Sequence, residues 1–154
     1  MKNKLIIISI LLLSVASCNK KTDAAPETPV AVEQPATEAN RECFSFITDK
    51  DTVTMTMTRT ADNVSGDLVY DWNEKDGNVG TFSGMFAGDT LRMDYTFQSE
   101  GMTSVREEVY VRKGNTLVQG TGEVEVEGDR QSFKSRKDLQ FGNSIVLLKT
   151  ECNQ

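Results

Sequence analysis

The segment Thr90-Leu-Arg-Met-Asp-Tyr-Thr-Phe97 carries an apolar side chain at every second position. In an extended chain successive side chains point to opposite sides, so Leu91, Met93, Tyr95 and Phe97 share one face. A helical face repeats every 3.6 residues, whereas alternation over eight residues is typical of a half-buried β-strand. This segment therefore predicts a strand with one face in a hydrophobic core.

The same alternation recurs on both sides of this segment. Further candidate strands precede Thr48 and cover 52–58, 64–72, 79–86, 102–112, 116–127, 131–135 and 144–150. Clusters of Gly, Asp and Asn separate most of them, as expected for turns. Only 135–140 could form a single helical turn. We predict an all-β chain, a single antiparallel meander of eight or nine short strands.

A half-polar sheet of this length is expected to close on itself, because closure removes its exposed edges. The strand before Thr48 and the strand after Ser144 would then be neighbours. Four glycines suit sharp strand bends: Gly66, Gly84, Gly120 and Gly122. The predicted barrel resembles lipocalins and other calycins in architecture, although it contains no short lipocalin motif. An open β-sandwich is the alternative.

The first 18 residues resemble the export signal of bacterial lipoproteins. Lys2 and Lys4 precede a largely apolar run, and Val15-Ala16-Ser17-Cys18 resembles a lipobox. The run is shorter than the about 20 residues that span a bilayer. The resemblance implies cleavage before Cys18 and acylation of its sulfur and new amino terminus. Asn19, in place of aspartate, favours delivery to the outer membrane, on either face. An unlipidated signal peptide and a buried core helix are the alternatives.

These features divide the chain into a signal segment 1–17, a lipidated tether 18–41 and a barrel domain 42–154. The tether holds all three prolines and no aromatic residue, so we expect it to be disordered.

With Cys18 lipidated, Cys43 and Cys152 remain at the two ends of the barrel domain. In an oxidising envelope this pair predicts a disulfide, with two buried free thiols as the alternative.

Composition argues against several classes of function. The chain has no histidine, the commonest general base and neutral metal ligand. No nucleophile lies beside an evident base, so we predict neither enzymatic activity nor a metal or cofactor. Removal of Lys2 and Lys4 leaves 15 basic and 23 acidic residues, a net charge of −8. Such a surface repels phosphate backbones, which disfavours nucleic-acid binding.

Glu107 is a candidate site residue because alternation groups it with Val105, Val109 and Val111, which we expect to face the interior. A buried carboxylate needs a partner. Three arginines on this strand and its neighbour are candidates: Arg92, Arg106 and Arg112. Glu107 is a candidate polar anchor that would orient a ligand head group inside a cavity. A structural ion pair at a barrel end, or a bulge that turns the side chain outward, are the alternatives.

Four aromatic residues are predicted to point inward near strand ends: Tyr70, Trp72, Tyr95 and Phe97. They could line a pocket for an apolar or aromatic ligand, or simply fill a narrow barrel.

We predict a lipid-anchored outer-membrane protein that holds a small apolar ligand. The alternative is a solid-cored barrel that docks an envelope protein, as an inhibitor or assembly module.

Overall fold

A computed structural model describes residues 40–73, 75–99 and 101–152. They form ten strands: β1 (Asn40–Ile47), β2 (Thr52–Thr60), β3 (Asn63–Trp72), β4 (Lys75–Ala87), β5 (Thr90–Ser99), β6 (Met102–Lys113), β7 (Thr116–Thr121), β8 (Val124–Glu127), β9 (Arg130–Phe133) and β10 (Gln140–Thr150). The described part of the chain contains no helix, which confirms the all-β prediction, and hence none that could cross a membrane. The signal segment, Cys18 and the tether up to residue 39 lie outside the described residues.

Eight strands close into an antiparallel barrel. Strands β1 to β7 and β10 are arranged so that β5 pairs with β6 and β10 pairs with both β1 and β7. The predicted contact between the first and last strands is confirmed, with Cys43 opposite Thr150. Every strand of this ring therefore has two neighbours, as expected for a small closed barrel.

A hairpin of β8 and β9 departs from the simple meander. The predicted strand 116–127 is divided into β7 and β8, with Gly122 and Glu123 between them. Strand β9 lies parallel to β6, with Val105 opposite Arg130. Strand β6 therefore contacts β9 along one part and β7 along the other, where pairing runs from Tyr110↔Gln119 to Lys113↔Thr116.

Large side chains fill the middle of the barrel. The residues of the segment that begins at Thr90 behave as predicted, since Leu91, Met93 and Tyr95 are almost fully buried. The other largest buried side chains are Phe44, Val53, Met55, Met57, Leu68, Tyr110, Leu117 and Leu147. Gly84 allows close strand approach, because a Cβ there would lie 2.2 Å from the carbonyl oxygen of Arg92.

The predicted disulfide between Cys43 and Cys152 is present, with their Cα atoms 5.2 Å apart. Its sequence separation of 109 residues spans nearly the whole barrel domain. Cross-linking a loop of this size restricts the unfolded chain, and the chain-entropy model gives about 4 to 5 kcal/mol of stabilisation. The bond holds Cys152, just after β10, beside β1.

An ion cluster closes one end of the interior. The buried carboxylate of Glu42 accepts hydrogen bonds from both terminal nitrogens of Arg112 and from Lys149. The bonds from Arg112, opposed by burial and reinforced by Lys149, lower the pKa of Glu42 to about 2. We call Glu42, Arg112 and Lys149 the end cluster.

Candidate functional site

A cavity opens where β6 and β7 separate, at the opposite end of β6 from Arg112. Pairing between these strands stops at Tyr110↔Gln119, because β9 takes the next place beside β6. The resulting space, here called the seam cavity, has a volume of about 390 Å³. Its lining is Tyr70, Trp72, Arg106, Glu107, Glu108, Gln119, Gly120, Thr121, Gly122, Val124, Gln131, Phe133 and Ile145.

Glu108 is the centre of the polar wall of this cavity. Its Oε1 accepts hydrogen bonds from Arg106 Nε at 2.8 Å and from the Tyr70 hydroxyl at 3.0 Å. Its Oε2 accepts one from Gln119 Nε2 at 2.7 Å. The residue is only 3 % exposed, so these bonds replace the water that an ionised carboxylate would otherwise need. Glu108 is therefore a fixed, fully partnered negative charge.

The guanidinium of Arg106 lies over a group of aromatic rings. Its Cζ is 5.0 Å from the ring centre of Tyr70, 5.6 Å from that of Tyr95 and 5.4 Å from that of Phe97. Burial alone would lower the pKa of Arg106, but the nearby Glu108 and Tyr70 raise it overall. A guanidinium has five N–H donors, and the bond to Glu108 uses one of them. Arg106 therefore presents a permanently charged donor group to the cavity.

The buried tyrosines extend this network into the barrel. The hydroxyls of Tyr70 and Tyr110 are 3.1 Å apart. Burial, and next the charge of Glu108, raise the pKa of both phenols above the ordinary value of 10. Burial raises the pKa of Tyr95 to about 12. All three tyrosines thus remain protonated near neutral pH, so Tyr70 can donate to Glu108.

The four predicted aromatic residues do lie together, but only two of them line the seam cavity. Tyr70 stacks on Trp72, with ring centres 5.7 Å apart, and both border the cavity. Tyr95 and Phe97 stack at 5.0 Å beneath Arg106; Tyr95 is buried in the core, and Phe97 is partly buried against it. Tyr70 and Trp72 are therefore the two candidates for ligand contact in this cavity.

The predicted orientation of Glu107 was wrong. It pairs across the ladder with Asp94, between the inward residues Met93 and Tyr95, and it therefore lies on the outer face of β6. Its carboxylate is buried there, because Arg136 Nε donates to Oε1 at 2.6 Å and the Phe133 N–H donates to Oε2 at 3.0 Å. None of the three arginines proposed as partners forms an ion pair with it; Arg136 does. Through these two hydrogen bonds, Glu107 holds the end of β9 and the segment after it against the outer face of the barrel.

The interior face of β6 instead carries Arg106, Glu108, Tyr110 and Arg112. The valines of β6 lie on its outer face, although alternation predicted that they face the interior. They are shielded from water there because the segment that follows β9 covers this face. Val109 is only 3 % exposed although it lies outside the barrel. With both faces of β6 buried, apolar alternation does not identify the inner one. Gln119 gave no signal in the sequence, since its role depends on the end of β6–β7 pairing.

The arrangement is suited to binding. Fixed donors and aromatic surfaces meet in a cavity of small-molecule size, which is typical of ligand sites. Among residues 40–73, 75–99 and 101–152, no group of three or more acidic or cysteine side chains could hold a metal ion. No protein-family model, curated protein or solved structure matches this chain.

Proposed function

We propose that this protein is a lipid-anchored envelope module that binds a small molecule in the seam cavity. One observation carries the proposal. Arg106, which is hydrogen-bonded to Glu108, and the partly exposed Trp72 line the same cavity of about 390 Å³. Sites for small ligands commonly have volumes of about 300 to 1,000 Å³. The ordered charge and the aromatic surface are in place before a ligand arrives.

The lining restricts the chemistry of the ligand. Large side chains are buried in the central interior, so we place the ligand in the seam cavity and not among them. The seam cavity offers the rings of Tyr70 and Trp72 to an apolar or aromatic part. It offers the donors of Arg106 to a carbonyl or carboxylate group. The expected small apolar ligand is therefore refined to one that carries a hydrogen-bond acceptor at one end.

The proposed lipid anchor depends on the resemblance of residues 1–18 to a lipoprotein signal. Strand β1 begins at Asn40, close to the end cluster, whereas the seam cavity lies at the other end of the barrel. The cavity proposal does not depend on the anchor.

Trp72 provides a direct test, because it is the only tryptophan in the chain and it borders the cavity. Native mass spectrometry of protein extracted from the envelope should show a bound small molecule, and adding it to ligand-free protein should change Trp72 fluorescence. Arg106→Gln should weaken binding at least tenfold, since a hydrogen bond to a charged group contributes about 1.5 kcal/mol or more. Arg41→Gln, on an exposed residue of β1, should have no effect. A bare mass together with unchanged fluorescence in envelope extract would refute the ligand site.

A separate experiment tests the anchor. The exported protein should carry acyl mass on Cys18 and fractionate with the outer membrane, and Cys18→Ala should abolish both. An exported product of unmodified mass that remains in the aqueous fraction would refute lipidation without affecting the cavity proposal.

The filled interior favours a second candidate, in which the outer surface docks an envelope protein. Exposed apolar side chains on the barrel support it: Ile47, Val79, Met102 and Val126 are each more than 60 % exposed. Site-specific photo-crosslinkers at these positions in intact cells should capture one partner. Equal, weak capture of many proteins would contradict this candidate.

A further inference from the structure

The outer wall of the barrel bears a groove that differs from the seam cavity. Its apolar part, about 330 Å³, is lined by Met85, Ala87, Thr90, Arg92, Val109, Val111, Arg136, Leu139 and Phe141. Its polar part, about 260 Å³, contains Asn63, Ser83, Asp94, Glu107 and Arg130. The two parts share Met85, Arg92 and Arg136, so they are continuous. We call this the outer groove.

The apolar part is formed because the segment after β9 crosses the barrel wall. Leu139 of that segment and Phe141 of β10 line it together with Val109 and Val111 of β6. Phe141 remains 36 % exposed and Met85 46 % exposed, so apolar surface is accessible to a ligand. Covering that surface would be favourable at about 25 cal/mol per Å².

The polar part carries a surplus of positive charge. Arg130 forms a two-point ion pair with Asp94, and Arg136 pairs with Glu107. Among the described residues Arg92 has no carboxylate partner, and its exposed side chain lies where the two parts of the groove meet. Three arginines and two carboxylates leave one positive charge here, in a chain whose net charge is −6.

We propose that the outer groove binds a free single-chain carboxylate, of the fatty-acid class. Its alkyl chain lies along Met85, Val109 and Phe141, and its carboxylate accepts hydrogen bonds from Arg92. An amphiphilic anion matches both the accessible apolar channel and Arg92, which has no carboxylate partner in the described part of the chain. The site is distinct from the seam cavity, although Glu107 lines both.

Decanoate, kept below its micelle concentration, tests the proposal on the mature chain from Cys18 onward, prepared without lipid. Calorimetry should show decanoate binding about fifteenfold more tightly than octanoate, because each buried methylene contributes about fourfold. Arg92→Gln should weaken decanoate about tenfold, through loss of a charge-assisted hydrogen bond. Arg41→Gln is the matched control for charge and should leave the affinity unchanged.

Amide NMR shifts locate the ligand. Decanoate should shift Met85, Val109 and Leu139 and leave Gln119 and the fluorescence of Trp72 unchanged. Equal binding of decyltrimethylammonium, or no effect of Arg92→Gln, would overturn the proposal, since neither is compatible with a carboxylate on Arg92. Shifts confined to the seam cavity, or binding of anionic vesicles without binding of monomeric decanoate, would overturn it as well.

Discussion

Glu42 and Arg112, 70 residues apart in sequence, form a two-point ion pair inside one end of the barrel. Arg112 Nη1 lies 3.1 Å from Oε1 of Glu42, and Nη2 lies 2.7 Å from Oε2. The guanidinium is also within 5.6 Å of the rings of Phe44 and Phe86. The Glu42 carboxylate is buried and the Arg112 guanidinium is largely shielded from water, so each charge depends on the other.

Glu42→Gln should destabilise the barrel by about 3 kcal/mol, because the substitution leaves Arg112 buried without its counter-charge. Urea unfolding at neutral pH measures the change. Glu125→Gln is a suitable control, since this exposed carboxylate of β8 forms no ion pair among the described residues. The control should remain within about 0.5 kcal/mol of the parent. Equal effects of the two substitutions would contradict the importance of the pair.

The same ion pair should make the free energy of unfolding depend on pH in the acid range. The pKa of Glu42 is about 2 in the fold and 4.5 ordinarily, so the folded state binds fewer protons between these values. Its contribution is complete above pH 4.5 and is lost as pH falls towards 2. Urea midpoints over this range should therefore fall more for the parent than for Glu42→Gln. Parallel curves for the two proteins would argue against the pKa shift.

Removal of the disulfide should also destabilise the barrel. The double variant Cys43→Ala with Cys152→Ala should lose about 4 kcal/mol, because a closed loop of 109 residues no longer restricts the unfolded chain. Denaturant unfolding of the unlipidated mature chain under oxidising conditions measures the loss. Cys18→Ala is the matched cysteine control and should leave the unfolding midpoint unchanged.

The barrel architecture could be predicted from the alternation of apolar residues along single strands and from the pairing of two cysteines. Strict alternation in β2, β3 and β5 identified their inner faces, since only one side of each strand is buried. The positions of Cys43 and Cys152 indicated which strands complete the ring. These features could be deduced from the sequence because they depend on residues close together in it, or on a bond with one available pairing.

The candidate site was harder to predict because it depends on tertiary arrangement. The departure of β8 and β9 creates the seam cavity, and it also covers the outer face of β6. Alternation alone therefore assigned Glu107 to the interior in place of Glu108, one residue away. Only the pairing of β6 with β5 distinguishes these two carboxylates, since it aligns Glu108 with the buried Met93.

Glu107→Gln should weaken the attachment of the end of β9 and of the segment after it, without destabilising the barrel. Glutamine can accept only one of the two hydrogen bonds that Glu107 receives from Phe133 and Arg136, and the lost bond involves a charge. Hydrogen exchange at the Phe133 amide should become about tenfold faster, while exchange at Leu68 should not change. Glu123→Gln, which breaks the exposed pair with Lys134, is the control and should affect neither amide. Faster exchange throughout the barrel would contradict a local role.

All three tyrosines should stay protonated in the folded protein well above pH 10. Burial raises the pKa of Tyr70 and Tyr110, and that of Tyr95 to about 12, whereas an unfolded chain ionises near pH 10. Since the folded state binds the extra protons, stability is complete below pH 10 and falls as pH rises towards the folded pKa values. Tyrosinate absorbance should therefore increase only together with the loss of near-ultraviolet circular dichroism. Guanidinium-unfolded protein, as the control, should titrate near pH 10. Ionisation of one tyrosine near pH 10 with the dichroism intact would show that the interior network is open to water.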